Sequence, residues 1–174
     1  MIQLKIKTEY SFGQTFAPIS RVIERLKEVG CTAAGIVDGS TWGHVAWFKA
    51  CTAAGIQPML GVEVVVTDDE TVSRMWFLAA NQDGLGELYR ATSKSHTQTL
   101  ATRTGSLPRL YKKDVERMTD NIFKFSGDVL DGEFLKACNA LVDMNPSSRI
   151  MNVKKRRMAE EYGLRVVSTS DNAY

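Results

Sequence analysis

Short apolar runs alternate with stretches of helical period along almost the whole chain, and that alternation leaves few folds open. Leu4 and Ile6 alternate with Lys5 and Lys7, the period of a strand over residues 3–7. Residues 11–17 read as a loop. Pro18 then suits a first helical position, Ile19, Val22, Ile23 and Leu26 share one helical face, and Gly30 ends it. Residues 34–38 form an apolar run that ends in Asp38, followed by a helix over 43–54 closed by Gly55. A valine-rich strand is expected over 59–67, a strand over 75–80 and a helix near 85–95. Residues 97–106 are polar and read as a flexible loop, and residues 110–118 as a helix with Val115 inward. A strand over 122–126 precedes a helix marked by Phe134, Leu135, Cys138, Leu141 and Val142. Asn145-Pro146-Ser147-Ser148 breaks it, a basic helix covers 151–162, and residues 166–170 are the last strand. Strands alternating with helices predict a parallel sheet with right-handed crossovers. Functional residues in such sheets gather at the carboxyl ends of strands. The pattern places Lys7, Asp38, Glu63, Asp128 and Asp171 at or just past those ends.

A length of 174 residues supports one sizeable core, and 44% apolar with 24% charged residues argues against disorder. A net charge of +2 does not by itself argue for nucleic acid. Lys154-Lys155-Arg156-Arg157 is followed by Glu160 and Glu161, so this basic run reads as a solvated helix face. Cys31, Cys51 and Cys138 form no Cys-x-x-Cys pair and read as reduced thiols of a cytoplasmic protein. The charged start does not read as a signal peptide, and no apolar run is long enough to span a membrane. His44 reads as a packed helix histidine. Trp42, Trp47 and Trp76 read as core or barrel-rim packing.

Lys5-Ile6-Lys7 with Glu9-Tyr10-Ser11, then Val37-Asp38-Gly39-Ser40, Gly61-Val62-Glu63-Val64 and Ser168-Thr169-Ser170-Asp171, in this order, resemble the PHP (polymerase and histidinol phosphatase) domain of the bacterial DNA polymerase III alpha subunit type. Lys5-Ile6-Lys7 and Glu9-Tyr10-Ser11 stand where that family writes His-x-His and Glu-Tyr-Ser. Val37-Asp38-Gly39-Ser40, Trp42-Gly43, Phe48-Lys49-Ala50, Ala54-Gly55-Ile56-Gln57-Pro58 and Gly61-Val62-Glu63-Val64 follow the family's most specific stretch. Ser93-Lys94-Ser95-His96, Phe125-Ser126-Gly127-Asp128 and Ser168-Thr169-Ser170-Asp171-Asn172-Ala173-Tyr174 continue the match. The resemblance implies a distorted, incomplete TIM-like (β/α) barrel of about six mostly parallel strands with outer helices, one domain over 1–174. It also implies that one family strand-helix unit is missing near residues 143–150.

The family's divalent ions sit among histidines and carboxylates, and the departures fall on those positions. Lys5 and Lys7 replace the first two histidines, Gln14 stands where an acid is usual, and Ala173 replaces the last histidine. Glu63, His96, Asp128 and Asp171 remain. A protonated lysine has no lone pair and cannot ligate a metal. It also repels one: two unit charges about 4 Å apart interact by roughly 4 kcal/mol at an effective dielectric of 20. The expectation is therefore a vestigial metal site with no cofactor, its charge balanced by a cluster of Lys5, Lys7, Asp38, Glu63, Asp128 and Asp171. The resemblance then implies a catalytically inactive module of DNA replication, a scaffold or docking surface for a replicative polymerase or another replisome protein. Nucleic acid is touched indirectly at most, and a homo-oligomer could close an open barrel edge. Two alternatives stand beside it. One is a residual phosphoesterase or exonuclease using Mn, Zn or Mg at Glu63, His96 and Asp171. The other is a phage-type interaction protein directed at replisome subunits. The 174 residues are either an excised domain or a stand-alone relative.

Overall fold

The computed structural model describes residues 1–68, 70–103 and 105–170. Its sheet runs β1 (Ile2–Ile6), β2 (Ala33–Asp38), β3 (Gln57–Thr67), β4 (Val72–Ala79) and β7 (Ile122–Phe125) in spatial order. Between β4 and β7 in the chain lie a hairpin, β5 (Thr99–Thr102) and β6 (Gly105–Tyr111), and the short helix α4 (Lys112–Glu116). A bridge from Phe125 to Leu141 leads to β8 (Val142–Met144), which pairs with β9 (Val166–Ser168). The helices α1 (Ile19–Glu28), α2 (His44–Ala53), α3 (Gln82–Thr97), α5 (Gly132–Ala137) and α6 (Arg149–Tyr162) join the strands. The result is a mixed sheet of mostly parallel strands, curved into an open, TIM-like barrel. Among the described residues no helix is long and apolar enough to cross a membrane.

Three expectations change. First, β4 is antiparallel to β3, with Glu63 opposite Trp76. The connection is a turn in which Asp68 Oδ1 accepts from the Thr71 N–H at 2.7 Å. A parallel return needs a crossover of about a dozen residues. Second, the expected loop over 97–106 contains the β5–β6 hairpin, and β6 pairs with the far end of β3 through Leu110 and Val66. The helix expected over 110–118 is thereby cut to Lys112–Glu116, where Asp114 accepts from the Tyr111 N–H at 3.1 Å. Third, the helix expected to reach Val142 stops at Ala137, and Asn139 takes φ 54°. Leu141 and Val142 then leave the helix for the bridge and strand β8.

Apolar residues divide by sheet face. Val62, Val64, Val66, Met75 and Phe77 point outward to α3–α6, forming the larger core with Leu88 and Leu135. Ile6, Ile36 and Trp47 join α1 and α2 in a second core. Inside the barrel, Val37, Trp76, Leu78 and Phe125 pack with Leu4, Met59, Leu141 and Val167. Trp76 and Phe125 stack at 3.6 Å between centroids. Gly61 permits close packing here, because a Cβ would meet the Phe77 carbonyl oxygen at 2.2 Å. Between β9 and β1, among the described residues, the seam is held by side chains: Gln3 Nε2 donates to Ser170 Oγ at 3.1 Å.

Candidate functional site

A register slip in β1 aims its two lysines. From Gln3 to Ile6 the strand advances three residues while its partner β2 advances two, from Ala34 to Ile36. The extra residue lets Leu4 face the barrel interior while Ile6 still packs in the outer core. Lys5 and Lys7 then meet Glu63, which alternation along β3 turns inward between outward-facing Val62 and Val64.

Lys7 Nζ lies 2.9 Å and Lys5 Nζ 3.5 Å from Glu63 Oε2, all three side chains being at most 16% exposed. Lys7 Nζ also donates to Gln14 Oε1. Arg74 Nε approaches the other Glu63 oxygen at 3.9 Å. Lys5 Nζ sits 5.8 Å from the Trp76 ring centroid, so the aromatic floor contributes a cation–π contact.

The other expected members lie elsewhere. Asp38 is fully buried, but its carboxylate accepts from the Thr8 N–H at 2.8 Å, from Thr8 Oγ1 at 2.6 Å and from Ser11 Oγ. It clamps the loop after β1 and no lysine reaches it among the described residues. Asp128 is exposed, and its part is played by its backbone N–H, which donates to the Arg74 carbonyl at 2.8 Å. His96 is exposed in the last turn of α3. Asp171 and Ala173 fall outside the described residues. The cluster that the described residues form is thus Lys5, Lys7 and Glu63, joined by Arg74, which the sequence reading did not single out.

A second buried charge pair was also missed. Asp143 and Lys155 are each 5% exposed in their side chains and lie 3.2 Å apart. Ser126 Oγ and the Gly127 N–H each donate to Asp143 Oδ1 at 2.8 Å, and Trp76 Nε1 donates to Oδ2 at 3.1 Å. Gly127 needs its φ of 53° there, and a Cβ would meet the Arg74 carbonyl oxygen at 2.0 Å. Burial pushes the Asp143 carboxyl up, but Lys155 and the donors from Ser126 and Trp76 outweigh it and hold the group below the ordinary value. Lys155 therefore departs from the reading of its basic run as wholly solvated. One signal was available: Lys155 precedes Met158 and Ala159 by helical steps, and both are core residues.

The imidazole of His44 is buried. Its Nε2 lies 2.9 Å from the Gly61 carbonyl oxygen and its Nδ1 3.3 Å from Tyr89 Oη. Burial pushes the thiols of Cys51 up to about 12 and Cys138 up to about 11, so neither is a ready metal ligand or nucleophile.

The fit of a divalent ion can be judged from these contacts. Among the described residues no three of His, Cys, Asp and Glu converge. Glu63 has ammonium groups at one oxygen and a guanidinium approaching the other, and Asp38 is saturated with hydroxyl and backbone donors. The described residues do not fit a divalent ion at this place.

The fold and the strand-end cluster define a class: TIM-like α/β barrels whose site lies at the carboxyl ends of the strands. Within it, residues 3–164 match the PHP domain, and this chain belongs to the PHP domain family. The DNA polymerase III subunit alpha of Streptococcus pyogenes serotype M3 (strain ATCC BAA-595 / MGAS315) is 32% identical over 92 residues, 52% of this chain and 9% of that protein. The Borreliella burgdorferi DNA polymerase III subunit alpha is 26% identical over 133 residues, 70% of this chain and 11% of that protein. The chain thus spans about a tenth of the length of these relatives. Among solved structures, a protein assigned as a metal-dependent phosphoesterase from Bifidobacterium adolescentis superposes with a TM-score of 0.68 at 12% identity, covering 98% of this chain and 86% of that one. An amidohydrolase from Chromobacterium violaceum, solved with bound sulfate and no metal, gives 0.68 at 14%, covering 99% and 87%. At such identities these likenesses speak to the fold.

Proposed function

We propose that this chain is a metal-free, catalytically inactive PHP module of the replicative-polymerase type, serving as a scaffold or docking surface for a polymerase or another replisome protein. The observation that carries the reading is the seat of Glu63, where Lys5 and Lys7 bring positive charge within 3.5 Å of its carboxylate. A carboxylate in a family metal site has a divalent cation for company. Here covalently attached ammonium groups take that electrostatic role. They bring no Lewis acidity and lower no water pKa, so hydrolysis has no activated nucleophile. The kinship with DNA polymerase III alpha subunits supports a place in replication.

The test is metal content by mass spectrometry, followed by manganese-dependent phosphodiester hydrolysis. The expected results are substoichiometric metal and no hydrolysis above a buffer control. Stoichiometric zinc, manganese or iron that disappears in Glu63→Ala would overturn the reading.

A further inference from the structure

We infer that the strand-end face of this module docks a partner protein segment that presents apolar side chains flanked by carboxylates; the inference rests on the docking role proposed above. Two neighbouring loops expose large apolar side chains there. Phe12 is 69% and Phe16 90% exposed in the loop after β1, and Trp42 is 64% and Val45 65% exposed at the start of α2. Phe12 and Trp42 touch, with ring centroids 5.5 Å apart, so the two loops meet through exposed aromatic rings. Contiguous exposed apolar surface of this kind marks an interaction site more often than scattered single residues do.

Charge on the same strand-end face selects the partner. Gln14, between Phe12 and Phe16 in sequence, accepts from Lys7, which in turn contacts Glu63, which contacts Arg74. Contacts therefore run unbroken from the aromatic loop to Arg74. The Arg74 side chain is 56% exposed, and its Nε lies 3.9 Å from Glu63 Oε1. Its terminal N–H groups donate to nothing among the described residues, a fork shaped for a carboxylate. A nucleic acid strand fits less well. Single-strand sites interleave aromatic platforms with cations that follow the backbone. Residues 8–17 and 39–45, which carry the aromatic side chains, contain no lysine or arginine, so the cations of this face lie to one side of the rings and are not interleaved with them. Aromatic anchors with a charged rim are the anatomy of a protein interface.

A random peptide library displayed on phage, panned against the whole chain in EDTA, tests this. Selected peptides are then synthesised with a fluorescent label and titrated by anisotropy. The expected consensus joins aromatic or aliphatic residues to Asp or Glu. Phe16→Ser and Trp42→Ser should each weaken binding about tenfold or more, with thermal unfolding unchanged. Arg74→Glu should weaken the same peptides, and Arg74→Lys should recover part of the loss. The inference is overturned by no selection above a bare-surface control, by a basic consensus, or by binding indifferent to these variants. Oligothymidylate binding lost in Trp42→Ser would assign the patch to nucleic acid. Self-association by sedimentation lost in Trp42→Ser would assign it to a second copy of the chain. Either result would overturn the inference. Metal assayed on the same preparation before EDTA is added separates the two claims. Bound metal overturns the metal-free reading and leaves the peptide result standing, whereas failed peptide binding without metal overturns the docking surface.

Discussion

At the residue scale, Glu63 faces three cations among the described residues, and these differ in what they lose when it changes. Lys7 is the closest, at 2.9 Å, and is little exposed. Removing one partner of a largely buried pair costs about 3–5 kcal/mol, because the other charge stays desolvated. Lys7→Met should fall at or below the low end of that range, since Lys5 and Arg74 still face the carboxylate. Glu63→Met should cost more, since it takes a carboxylate away from Lys5, Lys7 and Arg74 at once. The double variant should cost less than the sum of the two, as urea unfolding of the full cycle would read. Additive costs would mean that the pair contributes no coupling. His44 makes a separate case, in pH. Burial holds its imidazole below the usual 6.5, against the upward pull of the Gly61 bond and the Asp38 charge. The unfolded chain therefore takes up this proton first. The stabilisation from neutral His44 is complete above 6.5 and is lost as pH falls from there toward the lower folded value. Unfolding free energy should decline over that window in the wild type and be flatter in His44→Gln, which can still donate to Gly61. An equal slope in both would assign the effect to another group.

At the element scale, what the sequence revealed depended on whether a segment buries one face. The core of α1 was legible because Ile19, Val22, Ile23 and Leu26 repeat with helical period and are all buried. Strands β2 and β3 were legible because they are continuous apolar runs at the centre of the sheet. The hairpin of β5 and β6 was not, because β5 is mostly exposed and carries no apolar rhythm. Helix α5 was read too long because Phe134, Leu135, Cys138, Leu141 and Val142 fit a helical face, whereas the last two belong to the bridge and β8. That error hid Asp143, whose partner Lys155 lies on the next helix, so neither signalled the other. Lys5, Lys7 and Glu63 were legible as a site through family motifs, whereas Arg74 carries no motif and enters by strand pairing alone. The Asp143–Lys155 pair gives this scale its prediction. Lys155 Nζ donates to the Asp143 carbonyl at 2.6 Å as well as to its carboxylate, tying α6 to β8. Lys155→Met should cost about 3 kcal/mol or more in chemical denaturation, while Lys154→Met on the exposed face should stay within about 0.5 kcal/mol. Similar effects for both would show that the buried contact does not anchor the helix.

At the scale of the whole molecule, the barrel's continuity is uneven. From β1 through β7 the strands pair along their backbones, whereas β8 and β9 form a separate pair reached through the Phe125–Leu141 bridge. On the other side no strand of this pair is backbone-paired to β1 among the described residues; Ser170, just past β9, exchanges side-chain hydrogen bonds with Gln3, and Val167 packs in one interior cluster with Leu4. Local opening free energy follows the number of buried contacts and paired backbone groups that must be broken together. Strand β2 is buried at every residue and paired on both sides, so its amides should exchange only on global unfolding. Strand β9 alternates exposed and half-buried residues and pairs on one side, so it should open sub-globally. Hydrogen exchange read by mass spectrometry should show β2 and β3 protected longest and β9 fastest among the parallel strands. Gln3→Ala should accelerate β9 while leaving β2 unchanged, because it removes a tether at the seam and nothing in the central sheet. Equal protection of β9 and β2 would mean that the barrel opens as one cooperative unit, with the seam as strong as the backbone-paired strands.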